Sequence, residues 1–471
     1  MQYPLLVPSL SPRRIMKLAL SIVLVGIVSF CTTASGTILY VNAEGTGDYP
    51  TIQAAIESAE NGDVIELSDG LYTGNGNGDI YHEGEPGITI RSASGNPEAC
   101  VIGDVPSYYS YVFSVQHSPS FDLQGVTINA AGVGVEIYFC NPVFENCIFS
   151  NCNSGVFASN SRTNPVEIIN CRFINNDTGL ETIDNCILSG CWFIGNSGAV
   201  YTESRGGEQR FDFCTFVGNS ANYGGVIYQC ERFNDAHFTN CTFYNNSASV
   251  SGAIAFMAGL PPDRIEFVNC IIANSMGSEL VTDQDSGTAS MSCSILYENE
   301  FGNFTGLLAG YETGYDNIVA DPMFVDPGSN DFRLLPESPA TPYSEPNETC
   351  PWIGAFMVEG TSTIFEDDRH LLATISPETL IEITPNPFAG SVEIRLDLSE
   401  SSVSDLTQIR IFDLNGRDIR QITDVTITQN TITAVWDGTD DLHRSVSGGV
   451  YFVRAVSGSQ SISQRLIHLR R

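Results

Sequence analysis

The middle of the chain alternates short apolar stretches with Asn, Gly and Ser at a nearly constant spacing. One six-residue pattern, Cys-x-Phe-x-x-Asn, recurs there in full or in part. Its copies begin at Cys147, Cys171, Cys191, Cys214, Cys241, Cys270 and Cys293. Successive copies are 24, 20, 23, 27, 29 and 23 residues apart. A period of this length predicts stacked structural units rather than one globular core.

Within each unit, the alternation predicts short strands. Cys and Phe are two residues apart, so both side chains point to one face of a strand, and the residue between them points to the other. A Gly-containing segment such as Gly224-Gly-Val-Ile-Tyr228 then starts a second apolar strand. Such a unit cannot bury its apolar face alone. We therefore predict an all-β parallel β-helix with inward Cys and Phe ladders and an Asn ladder in the turns.

These repeats resemble the right-handed parallel β-helix superfamily, to which pectate lyases and many surface proteins belong. The pairing of Phe-x-x-Asn with a Gly-Gly-Ala-like segment also resembles the repeats of chlamydial polymorphic outer-membrane proteins. Residues 49–67 resemble the opening of such helices, and residues 51–59 are predicted to form a short amphipathic helix that plugs the open end. Residues 321–356 resemble the closing coils of bacterial members. The resemblance covers about residues 37–358.

The C-terminal residues follow a different pattern. Strand-like alternation, separated by turns such as Asn415-Gly416, predicts a small β-sandwich over residues 379–471. Motifs at Pro385-Asn-Pro-Phe388, Trp436-Asp-Gly438 and Ser447-Gly-Gly-Val-Tyr-Phe452 resemble the type A C-terminal sorting domain of the type IX secretion system, which is similar to an immunoglobulin-like domain. The resemblance implies contact with that secretion machinery, and a secreted or outer-surface location reached through the periplasm. The alternative is an accessory domain that the mature protein keeps.

The remaining boundaries follow from composition. Basic residues, the apolar run 18–30 and then small residues predict a signal peptide at residues 1–36, with Cys31 leaving a lipoprotein as the alternative. The apolar run is too short for a transmembrane span. Residues 37–358 form the predicted β-helix, and residues 359–378, with their acidic run, form a linker.

Charge excludes several classes of partner. After residue 36 the chain has 18 arginines, no lysine and 55 acidic residues, a formal net charge of −37. Such a surface repels nucleic acid and anionic membranes. It also repels acidic polysaccharides unless divalent cations bridge the two, and it offers no lysine as a catalytic base.

Thirteen cysteines follow residue 36, an odd number in an exported chain. A disulfide framework is one interpretation. The other is a ladder of free thiols, because stacked side chains point in the same direction rather than at each other.

One charged cluster between the repeats is a candidate for catalysis. Glu203, Arg205, Arg210 and His237 are the candidate catalytic residues, with Arg210 as a base. Asp212 and Asp235 could hold calcium through oxygen ligands. The alternative is that these are solvated loop charges.

Three aromatic residues are candidates for stacking on sugar rings: Trp192, Tyr108 and Tyr109. The alternative for them is packing between strands. We therefore predict a secreted or cell-surface protein that binds a polysaccharide or cell-surface glycan, or acts as an adhesin, without catalysis. The alternative function is a calcium-dependent polysaccharide lyase or another polysaccharide-degrading enzyme.

Overall fold

The computed structural model describes most of the repeat region and much of the C-terminal module. The described residues are 36–103, 110–130, 132–159, 165–183, 185–203, 207–230, 235–258, 263–284, 287–341, 345–350, 352–356, 380–384, 388, 390–397, 406–413, 418–422, 425–428, 431–440, 444–446, 449–457 and 460–468. The predicted signal peptide, apart from Gly36, and the predicted linker lie outside these residues.

Three parallel sheets, here named A, B and C, build a β-solenoid of about eleven coils, which confirms the predicted fold class. Sheet A contains Ile38–Val41, Val64–Leu67, Ile88–Ser92, Phe121–Gln124, Val143–Glu145, Val166–Ile169, Cys186–Ser189, Glu208–Asp212, Asp235–Thr239, Arg264–Val268 and Thr288–Ser292. Sheet B contains Gly70–Tyr72, Cys100–Gly103, Thr127–Asn129, Ile148–Ser150, Arg172–Ile174, Trp192–Ile194, Thr215–Val217, Thr242–Tyr244, Ile271–Ala273, Ile295–Tyr297 and Ile318–Val319. Sheet C contains Ile80–Glu83, Tyr111–Gln116, Val133–Tyr138, Ser154–Ser159, Thr178–Thr182, Val200–Thr202, Ile227–Gln229, Ala255–Met257 and Val281–Asp283.

In the repeats from Cys147 to Cys293, each coil turns two tight corners, from sheet A to B and from B to C, through a residue with positive φ. Asn170 (φ 51°) and Gly190 (φ 65°) occupy the first corner, and Asn175 (φ 55°) and Gly195 (φ 63°) occupy the second. Asn and Gly tolerate this left-handed conformation better than other residues. The recurrence of Asn and Gly after the Phe of each repeat follows from this geometry. A small parallel sheet, Ser220–Tyr223 with Ser247–Ser251, extends the second corner.

Aromatic rings fill the interior as predicted. The rings of Phe149, Phe173, Phe193, Phe216 and Phe243 stack with centroids 4.5–5.1 Å apart. A second stack on sheet A meets the first edge-on; it contains Phe211, Phe238 and Phe267. All eight rings are fully buried. A buried Phe contributes about 1.5–3 kcal/mol, so the two stacks are a major source of coil-to-coil stability.

The predicted Asn ladder is also present, at the corner between sheets B and C. The Nδ2 group of Asn196 donates to the backbone oxygen of Phe173 (3.0 Å) and to Oδ1 of Asn219 (2.9 Å). Its Oδ1 in turn accepts from the backbone N–H of Asn176 (2.9 Å). The same contacts connect Asn219 to Asn246. Each side chain therefore satisfies buried backbone groups of the preceding coil.

Six of the seven cysteines that begin the repeats form the predicted thiol ladder. Sγ of Cys171 lies 3.5 Å from the backbone oxygen of Phe144, and Sγ of Cys241 lies 3.2 Å from that of Phe211, one coil back in each case. Eleven described cysteines are free, and ten of these are buried; Cys230 is half-buried. Burial raises the pKa of the Cys171 thiol well above its ordinary value.

Cys293 departs from the predicted ladder. The register aligns Leu296, not Ile295, with the Phe position, so Ser294 takes the inward place expected for Cys293. The backbone N–H of Cys270 donates to Ser294 Oγ at 3.0 Å. Cys293 lies at the corner with φ 48° and forms a disulfide with Cys350. The repeat is therefore displaced by one residue here, which the sequence pattern alone did not indicate.

The two ends of the solenoid differ. Helix α1 (Ile52–Ile56) begins after Thr51 and buries Ile52, Ala55 and Ile56 against the first strands, as predicted for a plug, although it ends earlier than residue 59. At the other end, the expected closing coils are absent from the described residues beyond Ile318–Val319. Instead, Phe324–Asp326 and Asp331–Leu334 form an antiparallel hairpin around the 3₁₀ turn Pro327–Ser329.

The chain then returns along the outer face of sheet B. The backbone N–H of Gly354 donates to the oxygen of Asn269 (2.8 Å), and that of Ala355 donates to Thr242 Oγ1 (3.0 Å). We call residues 318–356 the tail. The tail explains why four outward side chains of sheet B are fully buried: Thr215, Thr242, Ile271 and Ile295.

The C-terminal module consists of two four-stranded antiparallel sheets. The first contains, in order, Leu380–Thr384, Val392–Asp397, Thr431–Trp436 and Val425–Thr428. The second contains Asp418–Ile422, Leu406–Asp413, Gly449–Ser457 and Gln460–His468. Side chains of both sheets share one hydrophobic cluster that includes Ile394, Ile411 and Trp436.

The Asn ladder leads to a test of stability. We expect Asn196→Ala to destabilise the protein by about 3 kcal/mol, because the Phe173 carbonyl and the Asn176 N–H lose buried partners. Asn222→Ala, at an exposed position outside the ladder on the small sheet Ser220–Tyr223, is the control and should cost at most about 0.5 kcal/mol. Denaturant unfolding measures both, and equal effects of the two substitutions would contradict the role of the ladder.

The thiol ladder leads to a second test. The denatured chain from residue 37 should titrate eleven thiols without reductant, because its thirteen cysteines include one disulfide. Reductant should raise the count to thirteen. A count of one thiol without reductant would instead show a disulfide framework.

Candidate functional site

Four residues predicted from the sequence lie together on the outer face of sheet A. Arg210 and Asp212 lie on one strand, and Asp235 and His237 lie on the next. The parallel register places His237 beside Arg210. The structure therefore brings these four residues together, on paired strands rather than in the loops that the sequence suggested.

Their surroundings form a network of ion pairs across three rungs of the sheet. Arg210 donates through Nε and Nη2 to Glu208 Oε1, both at 2.8 Å. His237 lies between two carboxylates, with Nδ1 2.9 Å from Glu266 Oε2 and Nε2 3.6 Å from Glu208 Oε1. Arg264 Nη2 lies 3.0 Å from Glu266 Oε1. A guanidinium does not lose its proton in proteins, and that of Arg210 already pairs with a carboxylate. This geometry fits charge balance on a sheet better than a catalytic base.

Asp212 lies beside this network in a poorly solvated position. Burial, and then Cys214, raise the pKa of its carboxyl to about 6, although Arg210 and the hydrogen bond with Thr239 oppose the shift. Asp212 therefore carries its charge at neutral pH at the expense of stability.

The predicted calcium ligands, Asp212 and Asp235, do not belong to a group of three ligands in the described residues. In that part of the chain, three potential ligand atoms come within 4.8 Å of one another at Cys293, Asp316 and Cys350. Two of those three residues form the disulfide. Calcium takes six to eight oxygen ligands, so calcium binding at Asp212 and Asp235 stays a prediction.

The other predicted residues lie elsewhere. Glu203 follows a strand of sheet C, where its Oε1 accepts from the Tyr201 hydroxyl at 2.8 Å. Trp192 lies on the outer face of sheet B, and its ring is 5.2 Å from that of Phe356 in the tail. Three predicted residues lie outside the described part: Arg205, Tyr108 and Tyr109.

A set of aromatic side chains on the outer face of sheet C was not identified from the sequence. We call it the aromatic strip, and its members on sheet C are Tyr138, Phe157, Tyr201, Tyr228 and Phe256. Tyr223, on the small sheet at the second corner, extends the strip by packing against the Phe256 ring. Ring centroids of Tyr201 and Tyr228 are 5.4 Å apart, and those of Tyr228 and Phe256 are 5.6 Å apart. Tyr223 is 44 % exposed, and the other rings are half-buried. The strip thus presents a partly exposed apolar band, with Tyr201, Tyr228 and Phe256 on three consecutive rungs.

Carboxylates accompany these rings. Glu136 Oε1 accepts from the Tyr138 hydroxyl (3.0 Å), and its Oε2 accepts from Ser114 Oγ (2.9 Å). Glu181 occupies the rung next to Tyr201. Burial, and then the charge of Glu203, raise the pKa of the Glu181 carboxyl. The outer face of sheet C therefore combines aromatic surface with hydrogen-bonding acids, the chemistry that suits sugar rings and their hydroxyl groups.

A sequence feature could have identified this strip. Two Gly-containing segments of the repeat end in an aromatic residue, at Tyr201 and Tyr228, and a third is followed directly by Phe256. The register aligns all three residues on the outer face. These aromatic residues recur at one repeat position, and their side chains point away from the buried ones. This recurrence is the sequence feature that indicates the strip.

Comparison with known families agrees with this architecture. Residues 41–186 and 86–242 match the family described as right handed beta helix region, and residues 382–468 match the secretion system C-terminal sorting domain. The chain contains a right-handed β-helix region and a type IX secretion C-terminal sorting domain. A search of curated proteins finds no match. The family matches do not extend to the polymorphic outer-membrane-protein repeats suggested by the sequence.

The sorting domain marks this β-helix protein for secretion across the outer membrane. Three residues of the motifs recognised in the sequence, Phe388, Trp436 and Tyr451, converge with His468 in one aromatic cluster. The Trp436 indole donates to the backbone oxygen of Thr439 at 2.9 Å. Within the described residues, no helix has the length and apolar character required to cross a bilayer.

Asp212 predicts how stability depends on pH. Its raised pKa means that the folded protein binds the proton more tightly than the unfolded chain, so stability should fall as pH rises from about 4 through 6. Asp212→Asn removes this cost, and at pH 8 it should raise stability by about 1–2 kcal/mol relative to its effect at pH 4. Denaturant unfolding at both values measures the change. Asp235→Asn is the charge-matched control, and the same pH profile for both variants would contradict the prediction.

Proposed function

We propose that this exported β-helix protein binds a linear glycan along the aromatic strip and does not cleave it. The observation that carries the proposal is the alignment of half-exposed rings on successive rungs. Parallel rungs repeat at about 4.8 Å, which is similar to the advance per residue of an extended glycan. Neighbouring sugar rings could therefore contact neighbouring aromatic side chains, while acids such as Glu136 and Glu203 accept hydrogen bonds from hydroxyl groups.

Secretion is consistent with this activity. The sorting domain directs the protein across the outer membrane, where cell-surface and environmental glycans are accessible. The proposed role of residues 379–471 is contact with the secretion machinery, followed by removal of the module and release or anchoring of the β-helix. A surface-anchored β-helix with a glycan-binding face would act as an adhesin.

The alternative, a calcium-dependent lyase at Arg210, has weaker geometric support. Both donor groups of Arg210 that face the network bind Glu208, and the acids beside it are engaged with His237 and Arg264. A lyase would need this network to open. Unsaturated product formed from a polysaccharide with calcium, and lost in Arg210→Ala, would establish the enzyme instead.

The glycan-binding proposal is tested by removing rings from the strip. In the full-length protein, Tyr201→Ala and Tyr228→Ala should each weaken binding to the glycan ligands found by array screening about five- to tenfold, because each loses a stacking surface. Tyr315→Ala, which removes a 46 % exposed ring outside sheet C, is the matched control and should bind normally. Calorimetric titration measures the affinities. Unchanged binding in both strip variants would contradict the proposal.

A further inference from the structure

The charged side chains on the outer face of the described strands of sheet C are acidic. No arginine occurs on its nine described strands, and the chain beyond residue 36 has no lysine. Histidine occurs there once, as buried His82, whose Nε2 is 2.8 Å from the oxygen of Pro86 and faces away from the strip. Carboxylates, in contrast, lie among the rings at Glu136, Glu181 and Glu203. A ligand on this face meets acids and aromatic rings together.

Glu181 and Glu203 are the central pair. They lie on adjacent rungs, one beside Tyr201 and the other two residues after it. The Tyr201 hydroxyl donates to Glu203 and lies 3.1 Å from Cys230 Sγ, which fixes one carboxylate at the middle of the strip. Burial, and then the negative charge of Glu203, raise the pKa of the Glu181 carboxyl, so a positively charged group beside the pair would be favoured there.

We infer that the strip recognises a glycan built from amino sugars with free ammonium groups, held between Glu181 and Glu203 over the Tyr201 and Tyr228 rings. The inference rests on the proposed function and names its ligand class. An ammonium group pairs with the two carboxylates through charge-assisted hydrogen bonds, and its positive charge also favours the faces of the tyrosine rings. A uronate-containing polymer would bring like charge to the same acids and is disfavoured.

The test compares three oligosaccharides of equal length on the full-length protein: poly-glucosamine, its N-acetylated form and an oligo-uronate. We expect the glucosamine oligomer to bind about five- to tenfold more tightly than the acetylated form at physiological salt, since each partly shielded ion pair contributes about 1 kcal/mol. The uronate should bind most weakly. In the combined variant Glu181→Gln with Glu203→Gln, the difference in affinity between the first two ligands should vanish.

A control separates this site from general attraction to an acidic protein. Glu44→Gln with Glu57→Gln removes two exposed charges near the first coils and should leave the preference intact. Equal binding of the aminated and acetylated oligomers, or an equal effect of the two double variants, would overturn the inference while leaving glycan binding in place. If Tyr201→Ala and Tyr228→Ala leave the affinity for all three ligands unchanged, the proposed function itself is overturned.

Discussion

The fold depends on satisfying buried polar groups at the corner between sheets B and C. There the chain must turn from sheet B to sheet C within a few residues, beside the stacked Phe rings. The Asn ladder solves this problem because one carboxamide has both donors and an acceptor. Asn196 uses them to connect the coils of Phe173 and Asn219. Without this network, unpaired backbone groups in a low-dielectric interior would oppose stacking.

Because the interior and the corners specify the coil, the outward positions are free to differ between sheets. Sheet A carries the ion-pair network around His237, part of sheet B is buried beneath the tail, and sheet C displays the aromatic strip. The same scaffold thus supports a charge-balanced face, a covered face and an accessible face. Only the accessible face combines apolar surface with hydrogen-bonding groups, which is why the functional argument rests on sheet C.

The sequence predicts what repeats and misses what depends on contacts distant along the chain. The inward Phe and Cys positions follow from a two-residue alternation, and the structure confirms them. The one-residue displacement at Ser294 and the hydrogen bond from Gly354 to Asn269 do not follow from this alternation, because both depend on packing between distant segments. For the same reason, the sequence predicted loops for the charged residues around Arg210, which lie on a strand. It also predicted that Trp192 could stack on a sugar ring, whereas a ring of the tail contacts it.

The cysteines show how the fold controls chemistry in an exported protein. Disulfide formation needs a thiolate and a geometry in which two side chains point at each other. Burial opposes the first for ladder residues such as Cys171 and Cys191, whose thiol pKa values are raised. Parallel stacking opposes the second. Cys293 is subject neither to ladder burial nor to parallel stacking, because the displaced register places it outside the ladder, where it bonds to Cys350. The single change of register that interrupts the repeat therefore also provides the covalent attachment for the tail, so that the cover over sheet B and the end of the solenoid have one structural cause.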